Sequence, residues 1–168
     1  MHLQDIEKAT YRQRFRIVFV AVVVLLVVVS LGTSTLLIAR FGTPGESHFW
    51  LNLTGVAVGA AVVVLTLTKL RQHPYLREVV YVWDLKQQLN QIYRRQRKIE
   101  PLVEKNDPDA IAIMYFFYRG SQQLYELDDN TITMDTIELK LRALQRRIEE
   151  LGINVTTDSY RKAMLERF

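Results

Sequence analysis

The chain has 168 residues, 49% of them apolar, with a formal net charge of +4 and no cysteine. This length allows one domain, or a small membrane part together with a small soluble part. The absence of cysteine excludes disulfides, thiolate zinc sites, iron–sulfur clusters and cysteine nucleophiles. The excess of basic residues lies at the edges of two apolar runs, which favours a role in membrane topology over nucleic-acid binding.

Two long apolar segments predict membrane-spanning helices. The first, residues 17–39, follows an N-terminal tail at residues 1–16, and its 23 residues would form a helix about 34 Å long, enough to cross a hydrocarbon core of about 30 Å. The second covers residues 49–70 after a turn at residues 40–48. Because the turn is so short, the spans form an antiparallel hairpin. A cleaved signal peptide is the alternative for the first segment, but its apolar run is longer than such a signal needs.

The distribution of basic residues predicts the orientation of this hairpin. The turn contains one basic residue, Arg40. Four basic residues precede the first span, namely Lys8, Arg12, Arg14 and Arg16, and four follow the second span, namely Lys69, Arg71, Arg77 and Lys86. The positive-inside rule therefore places both termini in the cytoplasm. Residues 17–39 and 49–68 contain no charged residue and no histidine, which disfavours a transporter, since proton and ion pathways usually need such residues.

Small residues recur at four-residue spacing on both predicted spans. Gly55 and Gly59 form one such pair, and Ser30 and Ser34 form the other. Small side chains let helix backbones approach closely, which is a main source of helix association in lipid. The four residues predict a helix-packing face, used either inside the hairpin or in self-association of several copies.

We expect residues 74–168 to form a cytoplasmic domain, a small bundle of about four helices. Pro74 is expected to break the chain after the second span and to start a new helix, which Pro101 ends or kinks near Ile99. Apolar residues on this helix step by three and four, as in a coiled coil, and predict a seam for a partner helix from this chain or from a second subunit: Val82, Leu85, Leu89, Ile92 and Ile99.

The remaining helices of the domain are marked by caps and periodicity. Asp107 predicts the N-cap of an aromatic-rich core helix, because Pro108 follows it. A further amphipathic helix ends at Gly152, which suits the residue just after a helix. A last amphipathic helix is expected to carry Tyr160, Met164 and Phe168 on one side.

The stretch YELDDNTITMDTIE, residues 125–138, contains the densest cluster of carboxylates. Its spacing does not fit a calcium loop, and no nucleophile or basic partner is placed beside it. We expect Asp128 and Asp129 to end one helix, Asn130 to adopt a left-handed turn geometry, and Thr133 or Asp135 to cap the next helix. The three histidines lack ligand spacing, and no phosphate loop or hydrolase motif occurs, so we expect no catalytic residue, metal, cofactor or small-molecule substrate.

Three segments of the chain resemble a known family. FGTPGESHFWLNLTG, RQHPYLREVVYVWDLKQQLNQIYR and YRGSQQLYELDDNTIT are similar to sequences of small, two-span bacterial membrane proteins known only as a domain of unknown function. The resemblance covers most of the chain. It implies a location in the bacterial cytoplasmic (inner) membrane and brings no activity, ligand or site residue.

These observations predict an all-α protein that is embedded in the lipid bilayer and acts through protein–protein contact. A membrane-anchored adaptor or assembly protein is the function we expect, because the chain has helical seams and small-residue faces but no catalytic constellation. A subunit of a small oligomeric pore or a transport accessory protein, ringed through Gly55 and Gly59, is the alternative. An enzyme with an unrecognised site is a third possibility.

Overall fold

The regular structure is helical throughout the part of the chain that the structure describes. The structure is a computed structural model that describes residues 2–168, and no strand occurs in that range. Its five α-helices are α1 (Lys8–Phe41), α2 (Phe49–Leu70), α3 (Arg77–Glu104), α4 (Pro108–Asp128) and α5 (Met134–Glu150). Three short 3-10 helices cover Pro74–Leu76, Thr157–Ser159 and Lys162–Arg167. The all-α prediction is confirmed.

The chain divides into two compact units. The hairpin unit is Ala9–Val80, and the helical unit combines residues 2–8 with Tyr81–Phe168. The helical unit thus begins within α3 and not at residue 74, and part of the predicted N-terminal tail belongs to it. Sequence periodicity could not reveal that residues 2–8 belong to the helical unit, because only contacts with residues far away in the sequence connect them to it.

Two long helices form the hairpin unit. Helix α1 has 34 residues, so it is about 51 Å long and begins well before the predicted span at residue 17. Helix α2 has 22 residues. Both helices are long and apolar enough to cross a membrane, and most of their side chains are exposed. The turn between them contains Gly45 at a φ of +88°, a left-handed conformation that glycine adopts without strain.

The predicted break after the second apolar helix lies at Pro74. Helix α2 ends at Leu70, and a single 3-10 turn begins at Pro74. The His73 Nδ1 atom accepts a hydrogen bond of 3.2 Å from the Tyr75 amide, which satisfies one of the backbone donors left free at the start of this turn.

Pro101 was expected to end or kink α3 near Ile99, and it does not end the helix. Helix α3 continues through Pro101 to Glu104. Pro101 is exposed, so water can hydrogen-bond the carbonyl that lacks its usual donor. The helix ends where Asn106 adopts a left-handed φ of 62° and the Asp107 amide bonds to the Leu102 carbonyl at 3.0 Å, as in a Schellman motif.

Helix α4 is the core helix of the helical unit. Its N-cap is Asp107, whose side chain accepts a hydrogen bond of 3.0 Å from the Ala110 amide, as the sequence predicts. The fully buried residues Ile111, Ile113 and Phe116 lie along it. All five predicted seam residues of α3 are buried as well, namely Val82, Leu85, Leu89, Ile92 and Ile99.

Helix α3 approaches α4 closely at a glycine. A Cβ at Gly120 would lie 3.1 Å from Leu89 Cδ2 and 3.3 Å from Leu85 Cδ1. Leu85 and Leu89 of the seam therefore pack against α4 inside the same chain.

The last segment of the chain is not the expected amphipathic α-helix. Residues 151–168 contain only the two short 3-10 helices, separated by Tyr160 in extended backbone. Tyr160 is buried and stacks on Phe116 with ring centroids 4.4 Å apart, and Gln88 donates a hydrogen bond to its hydroxyl. These tertiary contacts place the ring in the core without a helix, which explains why local periodicity misled.

Candidate functional site

The acidic stretch at residues 125–138 is a joint between α4 and α5. Asp129 adopts the left-handed conformation, with a φ of 56°, and the Asn130 amide bonds to the Tyr125 carbonyl at 2.9 Å. The left-handed residue was expected to be Asn130, so the prediction is wrong by one position. Asp can take this conformation because its short side chain bonds locally.

The carboxylates of the joint pair with basic residues of the helical unit. Asp128 lies 2.9 Å from the Lys86 ammonium, and Asp129 pairs with Lys8. Thr133 occupies the N-cap of α5 without a side-chain capping bond, and Asp135 lies in the first turn. No group of three or more potential metal ligands occurs in residues 2–168. The arrangement closes the end of α4 and leads into α5.

A cleft of about 390 Å³ lies elsewhere in the helical unit, where α3, α4 and α5 meet. We call it the α3–α5 cleft. Four charged residues line it, namely Glu100, Glu104, Lys140 and Arg147. The rest of its lining is largely apolar and consists of Val103, Met114, Tyr118, Ala143 and Leu144.

The charges of the α3–α5 cleft are distributed in a mixed pattern. Glu100 lies 3.9 Å from the Lys140 ammonium and accepts a hydrogen bond of 2.6 Å from Gln96. Arg147 donates to the Glu104 backbone carbonyl at 3.3 Å. Because both signs alternate over a small area, the cleft has no strong field of one sign, and it suits a partner that carries both kinds of charge.

Tyr118 is a buried tyrosine that lines the cleft. Burial, with a smaller contribution from the negative charge of Glu100, raises the pKa of Tyr118 to about 12. The phenol therefore keeps its proton at neutral pH. It can donate a hydrogen bond to a bound group or accept one from it.

The N-terminal strap, residues 2–8, packs on the helical unit through a closed set of polar contacts. The Gln4 amide donates to the Tyr81 hydroxyl at 2.9 Å, and that hydroxyl donates to the Gln123 Oε1 atom at 2.9 Å. Gln123 in turn donates to the Gln4 carbonyl. Burial raises the pKa of Tyr81 although the hydrogen bonds with Gln4 and Gln123 oppose the shift.

The four small residues predicted as a packing face lie together inside the hairpin unit. A Cβ at Gly55 would meet the Ser34 hydroxyl and would lie 2.7 Å from the Ser30 carbonyl oxygen. A Cβ at Gly59 would meet the Ser30 hydroxyl. Both helices therefore use these faces against each other. A ring of copies assembled through Gly55 and Gly59 would first have to open this contact.

Sequence comparison identifies the family of the chain. A family described as Protein of unknown function (DUF3087) matches residues 1–165. The chain belongs to this family. No curated protein and no solved structure matches the chain. The predicted resemblance to a family of unknown function is thus confirmed, and membership of DUF3087 assigns no reaction, ligand or partner.

Sequence reasoning found the joint and the small-residue face but missed the α3–α5 cleft and the N-terminal strap. Glu100, Tyr118 and Lys140 are far apart in the sequence and share no motif. Gln4 and Lys8 of the strap contact Tyr81, Gln123 and Asp129, and no local pattern connects them with these distant residues. Only the way that α3 and α5 pack on α4 brings these residues together.

Proposed function

We propose that this protein is a non-catalytic, membrane-anchored adaptor of the bacterial inner membrane. The hairpin unit anchors the chain in the bilayer, and the helical unit binds a protein partner in the cytoplasm. The α3–α5 cleft is the observation that supports this function best. Its apolar lining among mixed charges resembles the anatomy of a protein–protein interface, where an apolar centre is surrounded by a polar rim.

The cytoplasmic orientation has two lines of support. Basic residues predominate on the flanks that precede α1 and follow α2, as the positive-inside rule requires of cytoplasmic segments. Residues 2–8 and Tyr81–Phe168 belong to one compact unit, so both must lie on the same side of a bilayer that the hairpin crosses.

Cysteine labelling in whole cells tests the anchor and its orientation. The chain has no cysteine, so single substitutions report one position each. A membrane-impermeant maleimide should label Ser47→Cys, in the exposed turn, and should label Glu149→Cys, on an exposed face of α5, only after lysis. Labelling of Glu149→Cys in intact cells would contradict the orientation, and recovery of both variants in the soluble fraction would contradict the anchor.

Site-specific photocrosslinking in cells tests the cleft. A photoreactive amino acid at Ala143, which lines the cleft, should give a discrete protein adduct, whereas the same amino acid at Glu149 should not. Lys140→Glu should weaken the adduct from position 143, because it reverses one charge of the rim and loses the contact with Glu100. Equal adducts from positions 143 and 149, or adducts with lipid alone, would contradict the proposal.

A further inference from the structure

The α3–α5 cleft has two walls of opposite charge. The acidic and basic residues cancel over the cleft as a whole, but each sign belongs to one helix. Glu100 and Glu104 stand one turn apart on α3, whereas Lys140 and Arg147 stand two turns apart on α5. Glu104 is also the last residue of α3, so the carbonyl groups of the helix end add partial negative charge to that wall. A bound segment therefore meets acids on one side and bases on the other.

The floor between these walls is apolar and well packed. Met114 and Tyr118 stand one turn apart on α4, and Leu144 adjoins them from α5. All three residues are buried, and the part of each that remains accessible lines the cleft. Such a floor suits an apolar side chain, because covering it removes apolar surface from water at little cost in polar groups.

Several polar groups of the cleft have unused bonding capacity. Within residues 2–168 the Tyr118 hydroxyl has no hydrogen-bond partner and the Glu104 carboxylate has no partner of any kind, although Tyr118 is only 7% exposed. The Lys140 ammonium lies 3.9 Å from Glu100, which is too long for a hydrogen bond, and Arg147 uses one donor, at 3.3 Å. A buried hydroxyl without a partner is uncommon in proteins, and a bound group that accepts its hydrogen would satisfy it.

We propose that the α3–α5 cleft binds a segment of a second protein in one orientation, with a basic side chain toward α3 and an acidic side chain toward α5. An apolar residue between the two lies on Met114 and Leu144, and an oxygen of the segment accepts a hydrogen bond from the Tyr118 hydroxyl. The proposal rests on the adaptor function and names the chemistry of its partner. A segment with the reverse order of charges would place like charges together, so the cleft selects their order as well as their presence.

Reversing the two walls tests the orientation. The full-length chain carries the photoreactive amino acid at Ala143, and Glu100→Lys is combined with Lys140→Glu. This double variant keeps the net charge and an ion pair between α3 and α5, but the adduct should fall to about a tenth, because like charges then face each other. Lys86→Asp with Asp128→Lys reverses an ion pair of 2.9 Å outside the cleft and should leave the adduct unchanged.

A single charge reversal carries the same test with little risk to the fold. Glu104 is exposed and makes no side-chain contact within residues 2–168, so Glu104→Lys disturbs no interaction of the free protein. It should weaken the adduct, because it repels the basic side chain of the segment. Glu126→Lys changes an equally exposed and unpaired acid outside the cleft and should not. Circular dichroism of the purified variants verifies that each remains helical.

Tyr118→Phe tests the hydrogen bond to the segment. The adduct should fall about fivefold, which corresponds to the loss of about 1 kcal/mol from one hydrogen bond. The midpoint of thermal unfolding at neutral pH should not fall, because the hydroxyl makes no hydrogen bond in the free protein. Tyr93→Phe, at an exposed position of α3 outside the cleft, should leave both measurements unchanged.

The adduct itself identifies the segment. Peptide mass spectrometry of the purified adduct should locate the crosslink beside an apolar residue that has a basic and an acidic neighbour. Exchanging these two charges in the partner should restore the adduct with the double variant at Glu100 and Lys140. Restoration would show that the order of charges sets the orientation.

Four results would overturn the proposed orientation. Equal adducts from the wild type and the double variant would show that the order of charges has no role, while the adaptor function would stand. An adduct with twice the mass of the chain would make the occupant a second copy. A parallel loss of thermal stability and adduct in Tyr118→Phe would give the hydroxyl a structural role. The absence of any protein adduct in the wild type would reject the adaptor function as well.

Discussion

Gly55 contacts the backbone of α1, whereas Gly32 has nothing within 4 Å of the position where a Cβ would stand. The two glycines therefore have different roles although both lie in apolar helices. At Gly55 the absence of a side chain permits close approach of the helices, which is how helices associate in lipid. At Gly32 it contributes nothing to packing.

We predict that Gly55→Ala destabilises the hairpin unit and that Gly32→Ala does not. The new Cβ at position 55 would lie 2.7 Å from the Ser30 carbonyl oxygen and 2.9 Å from the Ser34 amide nitrogen, so the helices must separate. Backbone atoms cannot move aside as a flexible side chain can. Thermal unfolding in detergent should show a lower midpoint for Gly55→Ala, and an unchanged midpoint would contradict the close contact.

We predict that the protein loses stability at alkaline pH because Tyr118 and Tyr160 are buried. Burial raises the pKa of each to about 12 from an ordinary value of 10.0, with Glu100 adding to the shift at Tyr118 and Arg95 opposing it at Tyr160. Because the folded state holds these protons more tightly, their contribution to the free energy of unfolding is complete below pH 10 and is lost as the pH rises toward 12.

Tyr118→Phe should reduce the slope of this alkaline loss, since it removes one of the titrating groups. Denaturant unfolding measured at a series of pH values gives the slope, and tyrosinate absorbance follows the titration. Tyr93→Phe, at an exposed position of α3, is the matched control. Identical slopes for Tyr118→Phe and the wild type would refute the assignment.

At the scale of elements, the ends of α3 and α4 are closed by left-handed residues, and α5 is closed in the same way by Gly152. The Gly152 amide bonds to the Glu149 carbonyl at 3.1 Å, and the Ile153 amide bonds to the Ile148 carbonyl at 3.3 Å. These are the two bonds of a Schellman motif. The sequence predicted this end because glycine marks it, whereas the ends at Asn106 and Asp129 are less distinctive.

Two aspartates at the starts of α4 and α5 should differ in their importance for stability. Asp107 caps α4 and lies 2.7 Å from the Arg167 guanidinium, so Asp107→Ala should lower the free energy of unfolding by about 1 kcal/mol. Asp135 lies in the first turn of α5, where its charge interacts favourably with the helix dipole, so Asp135→Ala should cost about 0.3 kcal/mol. Chemical denaturation of the two variants measures the difference, and an equal loss would contradict it.

The pKa of Asp107 adds a check of the same cap at acid pH. Burial acts to raise this pKa, but hydrogen bonds from the Ala110 amide and Arg167, together with the charge of Arg167, lower it further than burial raises it. The contribution of the cap is therefore present above the ordinary pKa of 3.8 and is lost as the pH falls below it. Asp107→Ala should lack this acid dependence.

Local patterns predicted the elements that local forces determine. The apolar lengths of α1 and α2, the break at Pro74 and the seam on α3 follow from composition and spacing. The segment after Gly152 was mispredicted because its conformation depends on contacts of Tyr160 with Phe116 and Gln88. The α3–α5 cleft was missed for the same reason, since no short window contains Glu100, Tyr118 and Lys140 together.

At the scale of the whole molecule, the N-terminal strap and the three helices of the helical unit depend on each other. The Tyr81 hydroxyl is both an acceptor for the Gln4 amide and a donor to Gln123. Removing it leaves a partly buried amide and a side-chain carbonyl without their partner, a loss that typically costs more than the bond itself contributes.

We predict that Tyr81→Phe lowers the stability of the helical unit by about 1–3 kcal/mol and loosens residues 2–8. Hydrogen exchange should show faster exchange of the Gln4 amide, while the amides of α4 keep their protection. Tyr93→Phe again provides the control for loss of a tyrosine hydroxyl. Unchanged exchange at Gln4 would contradict the role of the strap.

The strap also has a consequence for when the helical unit can fold during synthesis of the chain. Residues 2–8 are synthesised before the hairpin, yet their partners Tyr81, Gln123 and Asp129 emerge only after the whole hairpin has been made. The helical unit therefore completes its fold after the hairpin has left the ribosome, because residues 2–8 can make their contacts only once α3 and α4 have been synthesised. A fragment that begins at Tyr81 would lack a segment of its own structure, so expression of this unit alone requires residues 2–8 to be joined to it.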